Sequence, residues 1–566
     1  MSQTKKRVQF IIGYPCATVQ TKPSTSQLPL ADALLSAMMA FRFSSADWQW
    51  AGLVSAREDR CPPKRRAAST KATHCRYKVV SLRPIRPVYF GTDRAVFFQT
   101  EPLPAFSSLF ICGDKFPLPT NPNSRGRLIT TLGVGFGIAV AIGNTIGAGI
   151  VRTPGEIGAL LPSTWLYFAA WATGGIYMSL GALQFAELGA MLPQSGGQYN
   201  FARAALGDYA GFIVGWSDWI STAGSFAAVS IVFGEYASDM VPAAHGHVRP
   251  LAAGVILLFA LLQWKSMHVG SGVQNVTTIL KAVLFLAVVA VCFLHRATPV
   301  TAVASRAVVP VGWPLFVSFI LALQAVIYTY DGWYGVVYFG GEVHNPGKEI
   351  PRAIYGTVIS VLAIYLLVNA AVVHLVSVRE FAGSDFAMGI AARRVLGPAG
   401  DTFIRIVVAV GLLSSVNAME MATSRALYAM SRDALFFPVF ARVNKGGIPG
   451  PALWLSTAVG LCFAMFSFER VAAILASFFV ADYALSFVSL FILRRRIPDV
   501  ERPHRAWGYP WTTSIALAAS IVFLVGALAS DRENTPLTFL VLAASYPVYR
   551  ALKWASRRSV ARAGSL

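Results

Sequence analysis

The chain has 566 residues, of which 55% are hydrophobic and only 13% are charged. The charged residues leave long windows free of Lys, Arg, Asp and Glu, and windows of roughly 18 or more apolar residues are typical of membrane-spanning helices. This composition excludes a soluble globular protein. The net charge of +21 would suit a nucleic-acid-binding protein, but the positions of the basic residues indicate a membrane topology and no nucleic-acid partner.

The first 127 residues differ from the rest of the chain. They are basic, carry scattered Pro and Ser, and contain no spanning window; only residues 30–41 form a good amphipathic run. No secretory pattern of basic region, apolar run and small-residue cleavage site is evident. We expect residues 1–127 to be a basic N-terminal extension, either a disordered tail or a segment upstream of the natural product. A folded N-terminal domain is the alternative.

Twelve apolar windows follow, and we refer to them as spans 1 to 12. The fourth and ninth are short for a full crossing. We therefore expect an all-α membrane protein with twelve transmembrane helices. The windows lie at about 128–151, 163–189, 209–237, 251–265, 270–295, 312–340, 354–377, 402–428, 451–468, 471–493, 512–530 and 535–550.

Basic residues concentrate in the loops that an even number of spans places on one side of the membrane. The opposite loops are poorer in Lys and Arg, with Arg393 and Arg394 the main exception. By the positive-inside rule both termini are cytoplasmic, and we expect a multi-pass protein of the cell (inner) membrane. The loops on the basic side include Lys348, Arg352, Arg432, Arg442, Lys445, Arg494, Arg495, Arg496 and the region 550–562.

The titratable residues show no pattern typical of an enzyme. The six cysteines have no metal-ligand spacing such as Cys-x-x-Cys. No nucleophile–base set or metal cluster stands out at helix depth. We expect no enzymatic activity, no bound metal and no cofactor.

The first span is interrupted at residues 143–149, which read GNTIGAG. Backbone that leaves the helix inside a bilayer is tolerated only where protein, water or a ligand satisfies its polar groups. Glycine permits the unwound conformation and a close approach of a ligand. The second half-helix would begin near Gly149, and its free N–H groups would suit a carboxylate. The alternative is that Gly143 and Gly147 form a close helix-packing motif.

The sixth span is interrupted at residues 329–332, TYDG. Two broken spans at corresponding places in two halves of a chain are typical of a transporter with its substrate site between the breaks. Asp331 lies at membrane depth, where a carboxylate costs roughly 2.5–3.5 kcal/mol and usually marks function. Carbonyls of the break together with Asp331 would hold an ammonium group, so the two breaks suit a zwitterion. Alternatively, Asp331 only caps the helix or faces a water-filled vestibule.

Three further ionisable residues lie at helix depth. Lys281 is near the middle of the fifth span, too far from either end to reach the interface comfortably. Its ammonium group would replace a bound cation or carry a proton. Asp218 and Asp482 are each either a structural hydrogen-bond partner or a coupling residue.

These residues resemble the amino acid–polyamine–organocation (APC) superfamily, and most closely the bacterial amino-acid permeases related to the L-type amino acid transporters. The resemblance covers about 128–510 and rests on an ordered set of motifs, each weak alone but specific together. They are residues 143–154 (GNTIGAGIVRTP), 187–199 (ELGAMLPQSGGQY), 211–212 (GF), 215–216 (GW), 328–333 (YTYDGW), 341–352 (GEVHNPGKEIPR), 424–425 (SR), 428–432 (YAMSR), 502–503 (RP) and 507–510 (WGYP).

The resemblance implies a LeuT-type fold, a 5+5 inverted repeat in which spans 1–5 and 6–10 are related by a pseudo-two-fold axis. Spans 1 and 6 would be the broken helices. The transporter core would occupy residues 128–510, with peripheral helices at 511–550 and a basic cytoplasmic tail at 551–566.

The resemblance also implies a substrate site. The substrate carboxylate would bind the backbone N–H groups of Gly147, Ala148 and Gly149. Its α-amino group would bind carbonyls around Thr145, Ile146, Tyr328, Thr329 and Tyr330, beside Asp331. Tyr328 matches the aromatic gate of the family, and Lys281 matches the lysine that takes the place of a sodium ion in sodium-independent members.

Two departures from the family pattern stand out. The usual Gly-Ser-Gly of the first break is Gly-Ala-Gly here, so Ala148 offers only its N–H. The pocket for the substrate side chain has no clear signature. Its candidates, which compete with a simple packing role, are Ser225, Ser414, Ser415 and Asn417.

The sequence thus predicts a sodium-independent secondary active amino-acid transporter that works by proton symport or exchange. Asp331 is the only charged side chain expected at the site, which favours neutral amino acids. Spans 1, 2, 6 and 7 would rock against spans 3, 4, 8 and 9 in alternating access. The expected partners are an amino-acid substrate, the lipid bilayer and, for a symporter, protons. Alternatives are a sodium-coupled or a polyamine/organocation transporter of the same fold, or a membrane sensor that binds an amino acid without moving it.

Overall fold

The computed structural model describes residues 128–295, 309–530 and 535–563. The predicted extension 1–127 and the end of the predicted tail, 564–566, lie outside the described residues. Within these ranges the secondary structure is helical, and the β pairing consists of two isolated bridges, Leu132 to Val343 and Ser195 to Phe339. The chain is therefore an all-α membrane protein, as predicted.

The helices of the first half lie close to the predicted windows. The chain begins with a pair of short helices in place of one continuous span. In order they are α1 (Val134–Thr145), α2 (Gly149–Leu160), α3 (Thr164–Met191), α4 (Tyr199–Leu206), α5 (Asp208–Met240), α6 (Val248–Lys265) and α7 (Met267–Leu294).

The second half begins with a short helix that is followed by two 3₁₀ turns, Gly335–Tyr338 and Gly340–Glu342. The last helix continues to Ala563, so residues predicted as a tail extend it. In order the helices are α8 (Trp313–Tyr330), α9 (Pro346–Leu375), α10 (Val378–Phe381), α11 (Ala387–Leu396), α12 (Pro398–Arg432), α13 (Gly450–Phe463), α14 (Phe468–Arg496), α15 (Trp511–Ser530) and α16 (Thr535–Ala563).

Eight helices in the described ranges are long and apolar enough to cross a membrane, and the bent α1–α2 pair would be a ninth. Helix α5 falls outside this count although its 33 residues would span about 50 Å. It carries acidic and small polar residues, and most of its side chains are buried against other helices. The eight are α3, α6, α7, α8, α9, α12, residues 477–496 of α14, and α15.

The sixth window was expected to run to residue 340 with an interruption at residues 329–332, and helix α8 ends within that interruption, at Tyr330. The rest of the window forms 3₁₀ turns in place of a second half-helix. Asp331 is extended, with φ −57° and ψ 152°. Gly332 has φ +99°, and a Cβ there would lie 2.8 Å from the carbonyl carbon of Asn144. Since other residues rarely adopt this conformation, the glycine ends the helix and lets the two chain segments touch.

The packing brings both interrupted segments to the centre of the bundle. Helix α1 packs against α7, α9 and α12, while α8 packs against α2 and α3. Helix α5 packs against α12 and α14. The residues between α1 and α2 and those after α8 therefore meet inside a ring of helices.

Candidate functional site

The chain leaves the helical conformation between Thr145 and Gly149, and the axes of α1 and α2 differ by 43°. The N–H of Ile146 donates to the carbonyl of Ile142 at 2.9 Å, and that of Gly147 to the carbonyl of Thr145 at 2.9 Å. The first N–H groups of α2 have no carbonyl partner within that helix. They form a positively polarised helix end that favours an anion.

The two glycines that suggested a packing motif have different surroundings. A Cβ on Gly143 would lie 2.1 Å from Nε2 of Gln274 and 2.9 Å from Cβ of Ala418, so this glycine allows close helix packing. A Cβ on Gly147 would meet nothing nearer than 3.6 Å. The packing interpretation therefore applies to Gly143, while Gly147 borders open space.

One side chain that sequence reasoning missed ties the two breaks together. The Tyr365 hydroxyl, from α9, donates to the carbonyl of Thr145 at 2.8 Å and to that of Thr329 at 3.0 Å. The Thr329 hydroxyl also donates to Thr153 of α2 at 2.8 Å. A single tyrosine within an apolar window gives no signal of this role. It satisfies one carbonyl from each interrupted segment, as buried backbone requires.

A cavity of about 30 Å³ lies between the breaks. Most of the predicted substrate-binding residues line it, and Asn144 and Met419 join them. The side chain of Ile146 is buried and that of Tyr330 packs against Trp171 and Tyr365, so these two predicted residues lie outside the cavity. The lining is Asn144, Thr145, Gly147, Ala148, Gly149, Ser225, Val229, Tyr328, Thr329, Asp331 and Met419.

Lys281 lies beside the first break. It is fully buried, and its Nζ donates to the carbonyl of Ile146 at 2.6 Å and to the hydroxyl of Ser415 at 3.0 Å. The Ser415 hydroxyl donates to the same carbonyl at 2.8 Å. The ammonium group thus satisfies unwound backbone, and within the described ranges no carboxylate pairs with it.

Of the other residues predicted to line a pocket for the substrate side chain, one borders the cavity and two pack between helices. Ser225 lines the cavity. Ser414 accepts from Nε2 of Gln274 at 3.2 Å, and Asn417 donates to Oε1 of the same glutamine at 2.8 Å. Ser414 and Asn417 therefore join α7 to α12 and do not border the cavity.

Asp331 and Tyr328 border both the cavity and a much larger vestibule of about 790 Å³. The Asp331 carboxyl accepts a hydrogen bond from the hydroxyl of Tyr483 in α14. The ring of Tyr328 lies 6.4 Å from that of Phe479, between centroids. The vestibule is lined by α2, α8, α14, α15 and the loop at 383–385. Asp331 therefore borders a vestibule, as its alternative interpretation expected, and also borders the cavity between the breaks.

The opposite side of the breaks is closed by a buried ion pair, which we call the Glu342–Arg425 gate. Both side chains are fully buried, and the guanidinium meets the carboxylate through two contacts of 3.1 Å. The guanidinium also lies 4.9 Å from the ring centroid of Phe339, which packs on Phe136. The N–H of Leu132 donates to the carbonyl of Glu342 at 3.0 Å. Within the described ranges, the vestibule thus adjoins the breaks on one side and the buried pair packs on the other.

Comparison with known proteins identifies the family. The sequence profile described as amino acid permease matches residues 136–548, most of the chain. The chain is 26% identical over 428 residues to the serine/threonine exchanger SteT of Bacillus subtilis (strain 168), covering 75% of this chain and 96% of SteT. It is 29% identical over 389 residues to the b(0,+)-type amino acid transporter 1 of Mus musculus, covering 66% and 77%. The glutamate/serine transporter AimA of Bacillus subtilis (strain 168) is 23% identical over 427 residues, covering 68% and 77%.

The matched region includes both breaks, the buried lysine and the gate, so the likeness extends over the features that the structure places together. It confirms the resemblance to the APC superfamily, and it identifies a transporter and no enzyme. The chain belongs to the amino acid permease family of the APC superfamily.

Proposed function

We propose that this protein is a sodium-independent transporter of neutral amino acids in the cell (inner) membrane, working by proton symport or exchange. The observation that carries the proposal is the meeting of the two helix breaks around one cavity, with the ammonium group of Lys281 bonded to the carbonyl of Ile146. Twelve spans, a 5+5 inverted repeat and cytoplasmic termini belong to the same proposal.

The substrate lies between the breaks. Its carboxylate binds the N–H groups of Ala148 and Gly149 at the start of α2, where the helix dipole favours an anion. The N–H of Gly147 joins them once it leaves the carbonyl of Thr145. Its ammonium group binds carbonyls of the breaks and Asp331. A carbonyl has two lone pairs, so the bond from Tyr365 leaves the carbonyl of Thr329 able to accept again. The Thr145 carbonyl already accepts from Tyr365 and from the N–H of Gly147, and it must release one of them to bind the ammonium group. The same holds for the Ile146 carbonyl, which accepts from Lys281 and Ser415. The carbonyls concerned are those of Thr145, Ile146, Tyr328, Thr329 and Tyr330.

Sodium independence follows from the place of Lys281. Carbonyl and hydroxyl oxygens are the ligands that a hard cation would use, and the ammonium group takes those of Ile146 and Ser415. A second cation in the same space would be repelled by the first. The lysine therefore substitutes permanently for a bound ion.

A preference for neutral substrates follows from the lining of the cavity. Asp331 is its only charged side chain, and the remaining lining is polar or apolar. Asp331 pairs with the α-amino group, which leaves no charge for a substrate side chain. The relatives named for serine and threonine, and for glutamate and serine, share serine, a small neutral amino acid.

Counterflow in proteoliposomes tests the proposal. Liposomes loaded with pooled unlabelled amino acids are offered labelled amino acids singly, in sodium-free and in sodium buffers. We expect uptake of a small set of neutral amino acids without sodium. Uptake only with sodium would overturn the role given to Lys281. Absence of uptake from folded protein would direct the search to polyamines, other organocations or a sensor.

A further inference from the structure

A cluster of three carboxyl groups joins α5, α14 and the segment after α8. Oδ1 of Asp218 accepts from the hydroxyl of Tyr338 at 2.6 Å. The Asp482 carboxylate accepts from the Ser217 hydroxyl at 2.8 and 3.1 Å. With Asp331, these carboxyls lie close enough to interact electrostatically. We call Asp218, Asp331 and Asp482 the carboxyl cluster.

Two members of the cluster lie deep within their helices. Asp218 comes ten residues after the start of α5, and Asp482 comes fourteen residues from either end of α14. At 1.5 Å per residue these distances are about 15 and 20 Å along the axes. Asp218 is fully buried and Asp482 is 1% exposed. Neither side chain reaches bulk water or a lipid headgroup.

Within the described ranges the cluster has no cationic partner. On α12, Arg425 is held by Glu342, and on α14, Arg494 is held by Glu187. On α4, Arg203 pairs with Asp433 and Asp208. Helix α13 carries no charged side chain. The charged residues of α6 lie at its two ends, and the described charged side chains of α16 lie after residue 549. The other titratable groups beside the cluster are Tyr177, Tyr328, Tyr334, Tyr338, Tyr365 and Tyr483.

This arrangement does not suit three ionised carboxylates. Each would cost roughly 2.5–3.5 kcal/mol at membrane depth, and neighbouring like charges disfavour ionisation further. A hydroxyl donor compensates only part of the lost hydration. Binding of a proton removes the negative charge of a carboxylate and with it the cost of burying that charge. The cluster is therefore a binding site for at least one proton.

Buried oxygens within the cluster lack a partner. Oδ2 of Asp218 and the hydroxyl of Thr222, one helical turn further along α5, have no hydrogen-bond partner of standard geometry. Thr222 is 6% exposed and lines a cavity of about 20 Å³ together with Tyr338 and Asp331. Asp331 also borders the vestibule. Asp331 therefore borders both the vestibule and a cavity lined by Thr222, which lies one helical turn from Asp218.

We propose that Asp218 and Asp482 hold the coupling proton of this transporter, with Asp331 exchanging it with the vestibule. The inference rests on the proposed transport function and selects symport as its mechanism. It also separates two roles: Lys281 supports the first break through its hydrogen bonds to Ile146 and Ser415, while the carboxyl pair gains and loses the proton.

The site is placed to affect alternating access. The Tyr338–Asp218 hydrogen bond joins the segment after α8 to α5, which belong to the two groups of spans proposed to move against each other. An ionised carboxylate accepts a hydroxyl hydrogen bond about twice as strongly as a neutral group does. Protonation of Asp218 thus weakens one contact across the moving interface.

Proton-driven uptake in proteoliposomes tests the site. The full chain is reconstituted with a pH-sensitive dye in the lumen, using the substrate identified by counterflow. One pH unit corresponds to about 1.4 kcal/mol, so an inward gradient of one unit supports up to about tenfold accumulation per coupled proton. We expect lumen acidification during uptake by the wild type. Asp218→Asn and Asp482→Asn should lose acidification and gradient-driven accumulation but keep counterflow.

Glu420→Gln is the matched control, because Glu420 is also fully buried, bonded only to the Thr457 hydroxyl, and lies outside the cluster. It should keep proton-driven accumulation. Loss of coupling in this control, or its retention in both Asn variants, would overturn the inference. Counterflow without proton movement in the wild type would also overturn it while leaving the transport function standing. Absence of counterflow in the wild type would instead refute the transport function.

Infrared spectroscopy of the wild type keeps the proposal testable if the Asn variants do not fold. A protonated carboxyl group has a carbonyl stretching band that an ionised carboxylate lacks. We expect this band at neutral pH in the wild type and also in Glu420→Gln, which lacks the other fully buried carboxyl bonded only to a hydroxyl, with a shift in deuterated water and a loss at alkaline pH. A spectrum without it at neutral pH would refute a proton held in the cluster.

Discussion

The hydroxyl of Tyr365 offers the sharpest test of how the two breaks are held together. Tyr365→Phe keeps the ring but removes the donor to the carbonyls of Thr145 and Thr329, at 2.8 and 3.0 Å. A typical hydrogen bond contributes about 0.5–1.5 kcal/mol. Because one hydroxyl proton is shared between two acceptors, we expect a loss of about 1–2 kcal/mol rather than the sum of two full bonds.

This loss corresponds to a factor of about 5–30, since 1.4 kcal/mol is tenfold. We expect this factor in substrate affinity, measured as the half-saturation concentration of counterflow. If the loss falls on stability instead, we expect a lower midpoint of thermal unfolding. Tyr330→Phe is the control: its ring lies 5.0 Å from that of Tyr365, but its hydroxyl reaches the carbonyl of Trp171 only at 3.4 Å. If Tyr365→Phe matches both the wild type and Tyr330→Phe in the two measurements, the bridging role is refuted.

Three further substitutions probe the breaks and the gate. Gly332→Ala should abolish counterflow, because its Cβ would clash with the backbone of the first break. Gly207→Ala is the control: Gly207 also has a positive φ, but a Cβ there would meet open space. This control should lose only about 1–2 kcal/mol of stability. Glu342→Gln leaves Arg425 unpaired and should lower the free energy of unfolding by about 3–5 kcal/mol, measured by thermal denaturation; an unchanged midpoint would contradict this. Lys281→Met removes a charged hydrogen bond of about 1.5–3 kcal/mol, so counterflow should fall about tenfold or more with or without sodium, and full activity would disprove its role.

The sequence predicted the elements that depend on local composition. Apolar windows located most of the helices, with some ends displaced by eight to thirteen residues, as at Pro346 and Ala563, and the glycine-rich segment 143–149 located the first break. The predicted interruption at residues 329–332 coincides with the end of α8 at Tyr330, whereas the 3₁₀ turns that follow it up to Glu342 were not foreseen, because the apolar run continues to residue 340. Hydrophobicity reports the environment of a residue, whereas the end of a helix depends on single backbone conformations.

The contacts that organise the site are mostly between residues far apart in the chain. Tyr365, Asn144 and the Glu342–Arg425 pair carry no local signal, since a tyrosine or asparagine in an apolar window fits simple packing equally well. Lys281 was predicted because a charge at membrane depth is costly and requires a partner. The same argument found Asp218 and Asp482, but only their hydroxyl partners and the lack of a nearby cation separate a proton site from a structural one.

The proton site and the closed side of the bundle meet in one short segment. Tyr338 donates to Asp218, and the next residue, Phe339, packs beneath the guanidinium of Arg425 in the gate. Opening that side must separate or rehydrate a fully buried ion pair, and breaking such a pair costs about 3–5 kcal/mol. A change in the Tyr338 contact of about 1–3 kcal/mol, the range for a hydrogen bond to a charged group, is therefore large enough to bias the opening without forcing it. Substrate bound at the breaks supplies the rest, which would make transport depend on both the proton and the amino acid.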